Sequence, residues 1–305
     1  MYIMRLIRLL LVIVPSIVIA HQIPLIIHMD VNKTIIAQDI GNNKGLDDVL
    51  IECIAKNCVG KWSTAVPEMT YVQYVKEYLV PGEKSNREVR KKRNDLIHAF
   101  FDFLKIREDV RYTKLKEQCD QLKNKILHQQ GVIFQSFFNM ITYLEQCKRN
   151  YVIILRSFGQ DLKAVTEEIT QKTGILFEWE GKFVGTSLFI HSHITDEQYV
   201  LNDIVSIAAF FKTHKHIYIR DDFAYWNTHY EQAEYGKLFP IDETVQSIFF
   251  DDNADESIIN ARLVPANTFV QTEKIGKSTA ICVVDTLQAI ENDSYFIDCL
   301  HLIGI

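Results

Sequence analysis

The chain has 305 residues, of which 48% are hydrophobic and 24% are charged, and its formal net charge is −6. This composition excludes a disordered or fibrous chain, and the length suffices for one large domain or for a core with an accessory domain. The negative charge gives no reason to expect a nucleic-acid partner. A local basic cluster precedes an apolar pattern of helical period and is interpreted as a solvated helix face; it consists of Arg87, Arg90, Lys91, Lys92 and Arg93.

The first twenty residues are typical of a signal peptide. Arg5 and Arg8 precede an apolar run at 9–19, and Val18 and Ala20 suit the −3 and −1 positions of a cleavage site after Ala20. The run is short for a membrane span and is interrupted by Pro15. We therefore expect an exported protein, periplasmic or secreted, with no membrane span after removal of 1–20. An uncleaved signal anchor is the alternative.

The six cysteines are too few for a disulfide scaffold in a chain of this length. Cys53 and Cys58 have no second pair at the spacing of zinc ligands, which argues against a zinc site there. Their spacing leaves open one or two disulfides, for example Cys53–Cys58.

The first predicted strand after the leader ends on an acidic residue. Leu25 to Met29 is an apolar run of the kind that is buried on both faces of a parallel sheet, and Asp30, Asn32 and Thr34 follow it. A carboxylate at the carboxyl end of such a strand lies where open α/β sheets bind ligands.

The next part of the chain is predicted to be helical. Residues 44–56 form one predicted helix and Thr64 to Leu79 a second, which begins near Pro67. Helical periodicity dominates from Asn86 to about Lys148. We interpret 36–148 as a mostly helical insertion.

The second half of the chain alternates strands with helices. The apolar run at 151–157 ends on Ser157, and later runs end on Asp221-Asp222, Asp251-Asp252 and Asp285. Between them we expect a helix at 161–172, a hairpin at 174–190 that turns at Glu180-Gly181-Lys182, and a helix at 196–213 capped by Thr195. His191 and His193 are assigned to a strand or loop rather than to a metal site. The pattern predicts a doubly wound α/β fold with five or six mainly parallel strands.

Four motifs in chain order resemble those of the haloacid dehalogenase (HAD) superfamily, most of whose members are phosphohydrolases. They are Asp30-Val-Asn32-Lys-Thr34 after the first strand, Ser157 after the second, a lysine for which Lys237 is the best candidate, and the acidic segment that begins at Asp251-Asp252. Lys212 and Lys215 compete with Lys237 for the third role. The resemblance covers 25–256 and implies a core of 21–35 and 149–305, with 36–148 as a helical cap.

The resemblance also implies roles for these residues. Asp30 would be the nucleophile that forms an aspartyl-phosphate, and Ser157 and Lys237 would hold the phosphoryl oxygens. Mg²⁺ would be bound by Asp30, by the main-chain carbonyl of Asn32, and by Asp251 or Asp252. Two further residues complete the expected substrate site, Thr34, which also fixes the loop, and Arg156.

The sequence departs from the superfamily pattern at Asn32. Hydrolytic members usually carry an aspartate there as general acid and base, and a carboxamide can do neither. General acid–base catalysis contributes about 10²–10⁴-fold, so we expect a slow enzyme. Asp39, Asp47, Asp48 and His98 are candidates to replace the missing group.

Two hypotheses about function follow from this departure. The first is a slow Mg²⁺-dependent phosphatase or phosphotransferase that acts on a phosphorylated small molecule or a phosphoprotein. The alternative is a catalytically inactive HAD-like protein that binds a partner or a phosphorylated ligand.

Overall fold

The computed structural model describes residues 24–40, 43–83, 86–254, 258–270, 279–302 and 304–305. The predicted signal peptide, 1–20, lies outside these ranges. No helix within them has both the length and the apolar composition needed to cross a membrane.

The described strands and helices alternate along much of the chain. The strands are β1 (Leu25–Asp30), β2 (Val59–Gly60), β3 (Met69–Thr70), β4 (Tyr151–Ser157), β5 (Trp179–Val184), β6 (Ser187–Ser192), β7 (Gln198–Leu201), β8 (Ile217–Arg220), β9 (Lys237–Ile241), β10 (Gln246–Asp251), β11 (Ile259–Leu263), β12 (Thr268–Phe269) and β13 (Thr279–Val283). The helices are α1 (Leu46–Asn57), α2 (Tyr71–Tyr74, continued by a π-helical turn at Val75–Leu79), α3 (Arg87–His98), α4 (Phe100–Ile106), α5 (Tyr112–His128), α6 (Gln135–Gln146), α7 (Leu162–Thr173), α8 (Ile204–Thr213), α9 (Phe223–Thr228), α10 (Thr286–Glu291) and α11 (Tyr295–Leu302).

A large mixed sheet organises the fold. Its strand order is β13-β10-β1-β4-β8-β5-β6-β7, in which the first six strands are parallel and β6 and β7 are antiparallel additions at one edge. The predicted α/β class with a mainly parallel sheet is therefore confirmed, and the hairpin extends the sheet beyond the predicted five or six strands.

The buried strands explain the layering. Every residue of β1 and β4 is buried, and alternate side chains point to opposite faces of the sheet. Leu25, Ile27 and Met29 pack on the face that α1, α5, α6, α7, α10 and α11 cover. Ile26 belongs to the core on the other face, together with α8 and the β5–β6 hairpin.

Two small sheets complete the structure. A two-stranded ribbon pairs β2 with β3. A three-stranded sheet has the order β12-β11-β9, and Lys237 is the first residue of β9. Phe239 of β9 packs on Phe249 of the central sheet, so this small sheet holds Lys237 over the carboxyl ends of the central strands.

The predicted helix at 64–79 is wrong at its start. Helix α2 begins only at Tyr71, because Thr70 caps it: the Thr70 hydroxyl accepts a hydrogen bond from Gln73 N, and the Gln73 side chain accepts one from Thr70 N. Met69 and Thr70 pair with β2 instead of continuing the helix.

Two further local predictions are wrong. Glu180, Gly181 and Lys182 lie inside strand β5, and the hairpin turns instead at Gly185, whose φ of +59° is a conformation that glycine adopts readily. Thr195 does not cap a helix, since strand β7 follows it. Asp203 caps α8 by accepting a hydrogen bond from Ser206 N.

The segment 36–148 is mostly helical, as predicted. Helices α1, α5 and α6 from this segment pack in the same core as the buried face of the sheet. Ile133 also forms an antiparallel bridge with Ile36, which lies in the loop after β1. A separate cap with the boundaries 36–148 stays a prediction.

Candidate functional site

The predicted site residues meet at the carboxyl ends of three neighbouring strands. Asp30 ends β1, Ser157 ends β4 on one side of it, and Asp251 ends β10 on the other side. From β1 the chain continues to β4 and β8 in one direction, and it returns to β10 and β13 on the opposite side. The site therefore lies at the point where the strand order reverses, which is where open α/β sheets form their ligand crevice.

Three buried carboxylates lie close together at this point, and one lysine contacts two of them. Oxygen atoms of Asp30, Asp251 and Asp252 lie within 4.8 Å of one another. Lys237 Nζ donates hydrogen bonds to Asp30 Oδ1 and, at 2.7 Å, to Asp251 Oδ2. We call Asp30, Asp251, Asp252 and Lys237 the acidic cluster.

The geometry favours Lys237 over its rivals for the third motif. Lys237 is almost fully buried inside the acidic cluster. Lys212 instead forms an ion pair with Asp242 at 2.7 Å, and Lys215 is exposed on the loop before β8. Sequence spacing did not separate these lysines, because the folding of β9 over the sheet determines which one reaches Asp30.

Burial and like charge make the acidic cluster electrostatically unbalanced. Burial raises the pKa of Asp30 well above its usual range; Lys237 opposes this shift, and the charges of Asp251 and Asp252 add to it. Burial also raises the pKa of Asp252 to about 6, against the attraction of Lys33. Burial alone would lower the pKa of Lys237, but Asp251 and Asp30 outweigh it and raise that pKa. Lys237 thus stays charged, and the three carboxylates need a proton or a further cation.

Thr34 fixes the loop after β1 and is fully buried. Its hydroxyl donates to Asp30 Oδ2 at 3.2 Å and accepts a hydrogen bond from Asp252 N at 3.1 Å. Thr34 therefore joins the ends of β1 and β10, which agrees with the predicted loop-fixing role. With both contacts inside the protein, the geometry argues against its second predicted role as a substrate ligand.

The side chain of Asn32 points to the end of β4. Its Nδ2 donates to Asp161 Oδ2 at 2.7 Å and to Ser157 Oγ at 3.2 Å, and Ser157 Oγ in turn donates to Asp161 Oδ1 at 2.8 Å. Asp161 is buried beside α7. Sequence analysis missed this residue as part of the site; its position four residues after the strand-ending serine was the available signal.

Gly159 allows these groups to approach. A Cβ atom on Gly159 would lie 2.6 Å from Asp161 Oδ1 and 3.3 Å from Ser157 Oγ. The Gly159 N–H donates to Ser157 Oγ at 2.9 Å. The loop after β4 thus holds Ser157 and Asp161 against Asn32 through a close backbone contact.

Lys33 is a second cation at the site and was not assigned a role from the sequence. Its Nζ lies 3.2 Å from Asp252 and 3.6 Å from Glu52, which also pairs with Lys44 at 2.7 Å. Its φ of 58° is an uncommon conformation for a residue with a side chain, and it turns Lys33 toward these acids. Lys33 neutralises part of the charge of Asp252.

Arg156 lies in the core, away from the predicted substrate. Its guanidinium is fully buried, donates twice to Asp221, and donates to the Leu238 carbonyl at 2.8 Å. The geometry therefore argues against the predicted substrate contact of Arg156. Asp222 likewise has a local role, since it caps α9 by accepting a hydrogen bond from Tyr225 N.

A cavity of about 990 Å³ opens over the acidic cluster. Its floor includes Asp30, Asp251, Asp252 and Lys237, and its walls come from the helical segment and from the loops after β4 and β8. Besides Lys237, the basic residues of its lining are Lys33, Lys44, Lys56, Lys76, Arg90 and Arg93, and its acidic residues outside the acidic cluster are Asp39, Glu52, Glu77, Glu231 and Asp285. A space of this size accommodates a small organic molecule together with an anionic group.

The residues proposed to replace an acid at position 32 are placed differently. Asp39 is buried and lines the cavity. His98 and Asp48 lie 3.8 Å apart and, like Asp47, are not part of the cavity lining. Of the carboxylates predicted for this role, Asp39 is thus at the cavity, whereas the unpredicted Asp161 contacts Asn32.

All six cysteines lie in the described part of the chain, and each is a free thiol. Cys53 and Cys58 are therefore not bonded to each other. The two sulfur atoms in contact are those of Cys282 on β13 and Cys299 on α11, 3.7 Å apart.

Comparison of the chain with protein-family models, with curated proteins and with solved structures gave no match. The functional conclusions therefore depend on the geometry of the site itself.

Proposed function

We propose that this chain is an exported HAD-like phosphatase or phosphotransferase that uses Asp30 as nucleophile and Mg²⁺ as cofactor. The observation that supports this proposal most directly is the proximity of Asp30, Asp251 and Asp252 to one another beneath a large cavity, with Lys237 bound to Asp30 and Asp251. Three carboxylates are a donor set that suits Mg²⁺, which prefers oxygen ligands. Asp30, Asp251 or Asp252, and the Asn32 carbonyl would hold the ion.

The proposed reaction transfers a phosphoryl group in two steps. An oxygen of Asp30 attacks phosphorus, the bond from phosphorus to the substrate oxygen breaks, and an aspartyl-phosphate forms. Attack by water then releases inorganic phosphate and restores Asp30; attack by another hydroxyl would complete a phosphotransfer. Bound Mg²⁺ would neutralise phosphoryl oxygens and lower their repulsion of the nucleophile.

Lys237 contributes positive charge where the phosphoryl group would lie. It is held between Asp30 and Asp251, so its position is fixed before substrate binds. A preorganised cation in a buried site stabilises developing negative charge more than a mobile one in water does. Ser157, which we predicted to hold a phosphoryl oxygen, donates to Asp161 instead and acts in this proposal by positioning Asn32 and Asp161.

Because residue 32 is an asparagine, we assign proton transfer to a nearby carboxylate. Asp161 is the acid nearest to Asn32, at 2.7 Å from its amide nitrogen, and Asp39 lines the cavity. We assign the general acid and base to Asp161 and keep Asp39 as the rival. Either carboxylate would protonate the leaving oxygen and then take a proton from the attacking water.

The substrate class in this proposal is a phosphorylated small molecule or the phosphorylated side chain of a protein. In this proposal the acidic cluster takes the phosphate together with its cation, and the mixed basic and acidic lining of the cavity contacts the rest of the substrate.

The alternative proposal is an inactive binding protein. Two observations favour it: Asn32 carries a carboxamide engaged by Asp161 and Ser157, and Lys33 already neutralises part of Asp252. Such a protein would hold a phosphorylated ligand in the same cavity without turnover.

One experiment separates the two proposals. The mature protein is incubated with a panel of phosphate esters, with and without Mg²⁺, and both free phosphate and acid-stable phosphoprotein are measured. We expect Mg²⁺-dependent phosphate release that is lost in Asp30→Asn and retained in Asp47→Asn, an exposed acid outside the site. Turnover that persists in Asp30→Asn would exclude Asp30 as nucleophile. Neither turnover nor phosphoenzyme across the panel would favour the binding protein.

A further inference from the structure

A second group of metal-ligating side chains lies on the antiparallel edge of the sheet. Glu180 on β5, His191 on β6 and His193 just beyond β6 offer one ligand atom each, and these atoms lie within 4.8 Å of one another. This group belongs to the hairpin strands, whereas the acidic cluster belongs to β1 and β10 and to the segments that follow them.

The strand register explains how these side chains come together. Glu180 lies directly opposite His191 in the antiparallel pair β5–β6, and directly beside Tyr218 in the parallel pair β5–β8. Directly paired residues point to the same face of a sheet, and residues two apart in a strand do so as well. His193 follows His191 at this spacing, and its N–H donates to the Glu178 carbonyl, which keeps the chain beside β5.

We propose that Glu180, His191 and His193 form a Zn²⁺ site. His193 Nε2 lies 3.2 Å and His191 Nε2 lies 3.9 Å from Glu180 Oε2. Ligands at about 2.1 Å from a tetrahedral zinc ion are about 3.4 Å apart, close to the two measured separations. An ion bound to His193 Nε2 would replace the contact of that atom with the Tyr218 hydroxyl, which lies 2.5 Å away. Two imidazoles and one carboxylate are a set that Zn²⁺ binds, with water in the fourth position.

Tyr218 positions the carboxylate of this site. Its hydroxyl donates to Glu180 Oε2 at 2.7 Å and lies 2.5 Å from His193 Nε2, and its ring stacks on that of His193 at 5.7 Å between centroids. Tyr218 is itself buried, so the partner of Glu180 is anchored in the core. Hydrogen bonds to ligand side chains orient them and strengthen metal binding.

The surrounding surface leaves the site open to solvent. Side chains of His191, His193 and Glu180 are each between two-fifths and one-half exposed, so an ion can reach them without opening the core. Lys182, two residues from Glu180 on the same face of β5, is the positive charge nearest to the site along that strand. The site would connect β5 with β6 and thereby stabilise this hairpin.

The proposal is tested by titrating the full chain with Zn²⁺ in the presence of millimolar Mg²⁺, which occupies oxygen-rich sites. We expect one more equivalent of Zn²⁺ bound by the wild type than by His191→Ala/His193→Ala. The matched control is His128→Ala/His301→Ala, which removes two exposed histidines elsewhere and should leave the count unchanged. Co²⁺ in place of Zn²⁺ should give the intense visible bands of a four-coordinate nitrogen and oxygen site in the wild type and in the control only.

Two further variants measure the contributions of the other groups. Tyr218→Phe removes the hydrogen bond to Glu180 and should weaken Zn²⁺ binding by about 10–100-fold. Glu180→Gln alters a ligand itself and should weaken Zn²⁺ binding at least as much. Zn²⁺ should also raise the thermal midpoint of the wild type and of the control, but not that of His191→Ala/His193→Ala. Equal zinc counts in the wild type and the His191→Ala/His193→Ala variant, or no saturable binding to the wild type, would overturn the proposal. Neither result would bear on turnover at Asp30.

Discussion

Two buried groups of charges lie side by side at the carboxyl end of the sheet, and they differ in balance. Arg156 and Asp221 match one positive with one negative charge, and the guanidinium makes further contacts to the Leu238 carbonyl and to His28. The acidic cluster instead holds three carboxylates against fewer cations, since Lys237 contacts both Asp30 and Asp251 and Lys33 contacts Asp252.

The difference indicates which of the two groups is built to receive something. An added charge does not stabilise an ion pair that is already balanced. An excess of carboxylates below a cavity, in contrast, is stabilised by a bound cation. Burial alone therefore does not distinguish a structural ion pair from a functional one. The ratio of positive to negative charges does.

The largest expected effect comes from breaking the balanced pair. Arg156→Met leaves Asp221 buried without its partner, which should lower the free energy of unfolding by about 3–5 kcal/mol. Urea denaturation measures this loss. The double variant Arg156→Met/Asp221→Leu should recover most of it, because no unpaired charge then remains. Mg²⁺ should not change either result, and a Mg²⁺-dependent rescue would show that this pair belongs to the metal site.

The stability lost by removing the lysine of the acidic cluster should depend on Mg²⁺. Lys237→Met leaves Asp30 and Asp251 without their shared cation, and we expect a loss of about 3 kcal/mol in the presence of a chelator. Mg²⁺ should restore a large part of it, because a bound divalent ion replaces the missing positive charge. Equal losses with and without Mg²⁺ in urea denaturation would contradict the proposed metal site.

His216, just before β8 at the opposite end of the sheet, extends the comparison to a half-buried group that stays neutral. Burial, with a smaller effect of Lys215, lowers its pKa to about 4, while Glu145 opposes the shift; Tyr151 and Phe177 pack on its ring. The unfolded chain binds this proton near pH 6.5 and the folded chain only near pH 4. His216 therefore costs no stability above pH 6.5, and the protein loses stability as the pH falls from 6.5 to 4.

The pH dependence can be isolated with a non-titrating variant. His216→Gln should remove a loss of at most about 3 kcal/mol between pH 6.5 and 4. Asp252, with its pKa raised to about 6, acts in the opposite direction over this range, so the difference between wild type and variant is the quantity to compare. His128→Gln is the exposed control. A parallel pH profile for wild type and His216→Gln would contradict the assignment.

Local apolar patterns were sufficient to predict the part of the fold that depends on them. The strands at Leu25, Tyr151 and Gln246 are buried on both faces, as their largely apolar runs predict, and their acidic or polar ends could be placed at one edge. The hairpin turn and the start of α8 could not be placed, because Gly185 and Asp203 decide them through a positive φ and a cap rather than through hydrophobic period.

The contacts inside the site were predictable only where they followed the strand ends. Asp30 and Asp251 could be placed together because parallel neighbouring strands end at the same edge. The partner of Arg156 and the contact of Asn32 with Asp161 depend on side chains that cross between loops distant in sequence. Such contacts leave no periodic signal, and for this reason Arg156 was taken for a substrate ligand and Asp161 was missed.

The smallest of the expected effects adds one more carboxylate beside the unbalanced cluster. Asn32→Asp removes the amide that donates to Asp161 at 2.7 Å and places two carboxylates at that separation. Two such groups cannot both ionise easily, so they share a proton and one pKa rises. A carboxylic acid that holds a proton near neutral pH is the group the proposed reaction lacks at this position, and the metal contact through the main-chain carbonyl is kept.

Phosphate release by Asn32→Asp should therefore increase by about 10²-fold, the lower end of general acid–base catalysis, which corresponds to about 2.7 kcal/mol in the barrier. Asn32→Ala removes the same hydrogen bond without adding an acid and should show no gain. Asp161→Asn should slow the wild type if Asp161 carries the proton, and Asp39→Asn should do so if the rival carboxylate does. In the Asn32→Asp background, Asp161→Asn should remove the gain, because the new acid holds its proton by sharing it with Asp161. A folded, Mg²⁺-binding Asn32→Asp protein that shows no gain with any ester would favour the binding protein, because the missing acid would then not be what limits turnover.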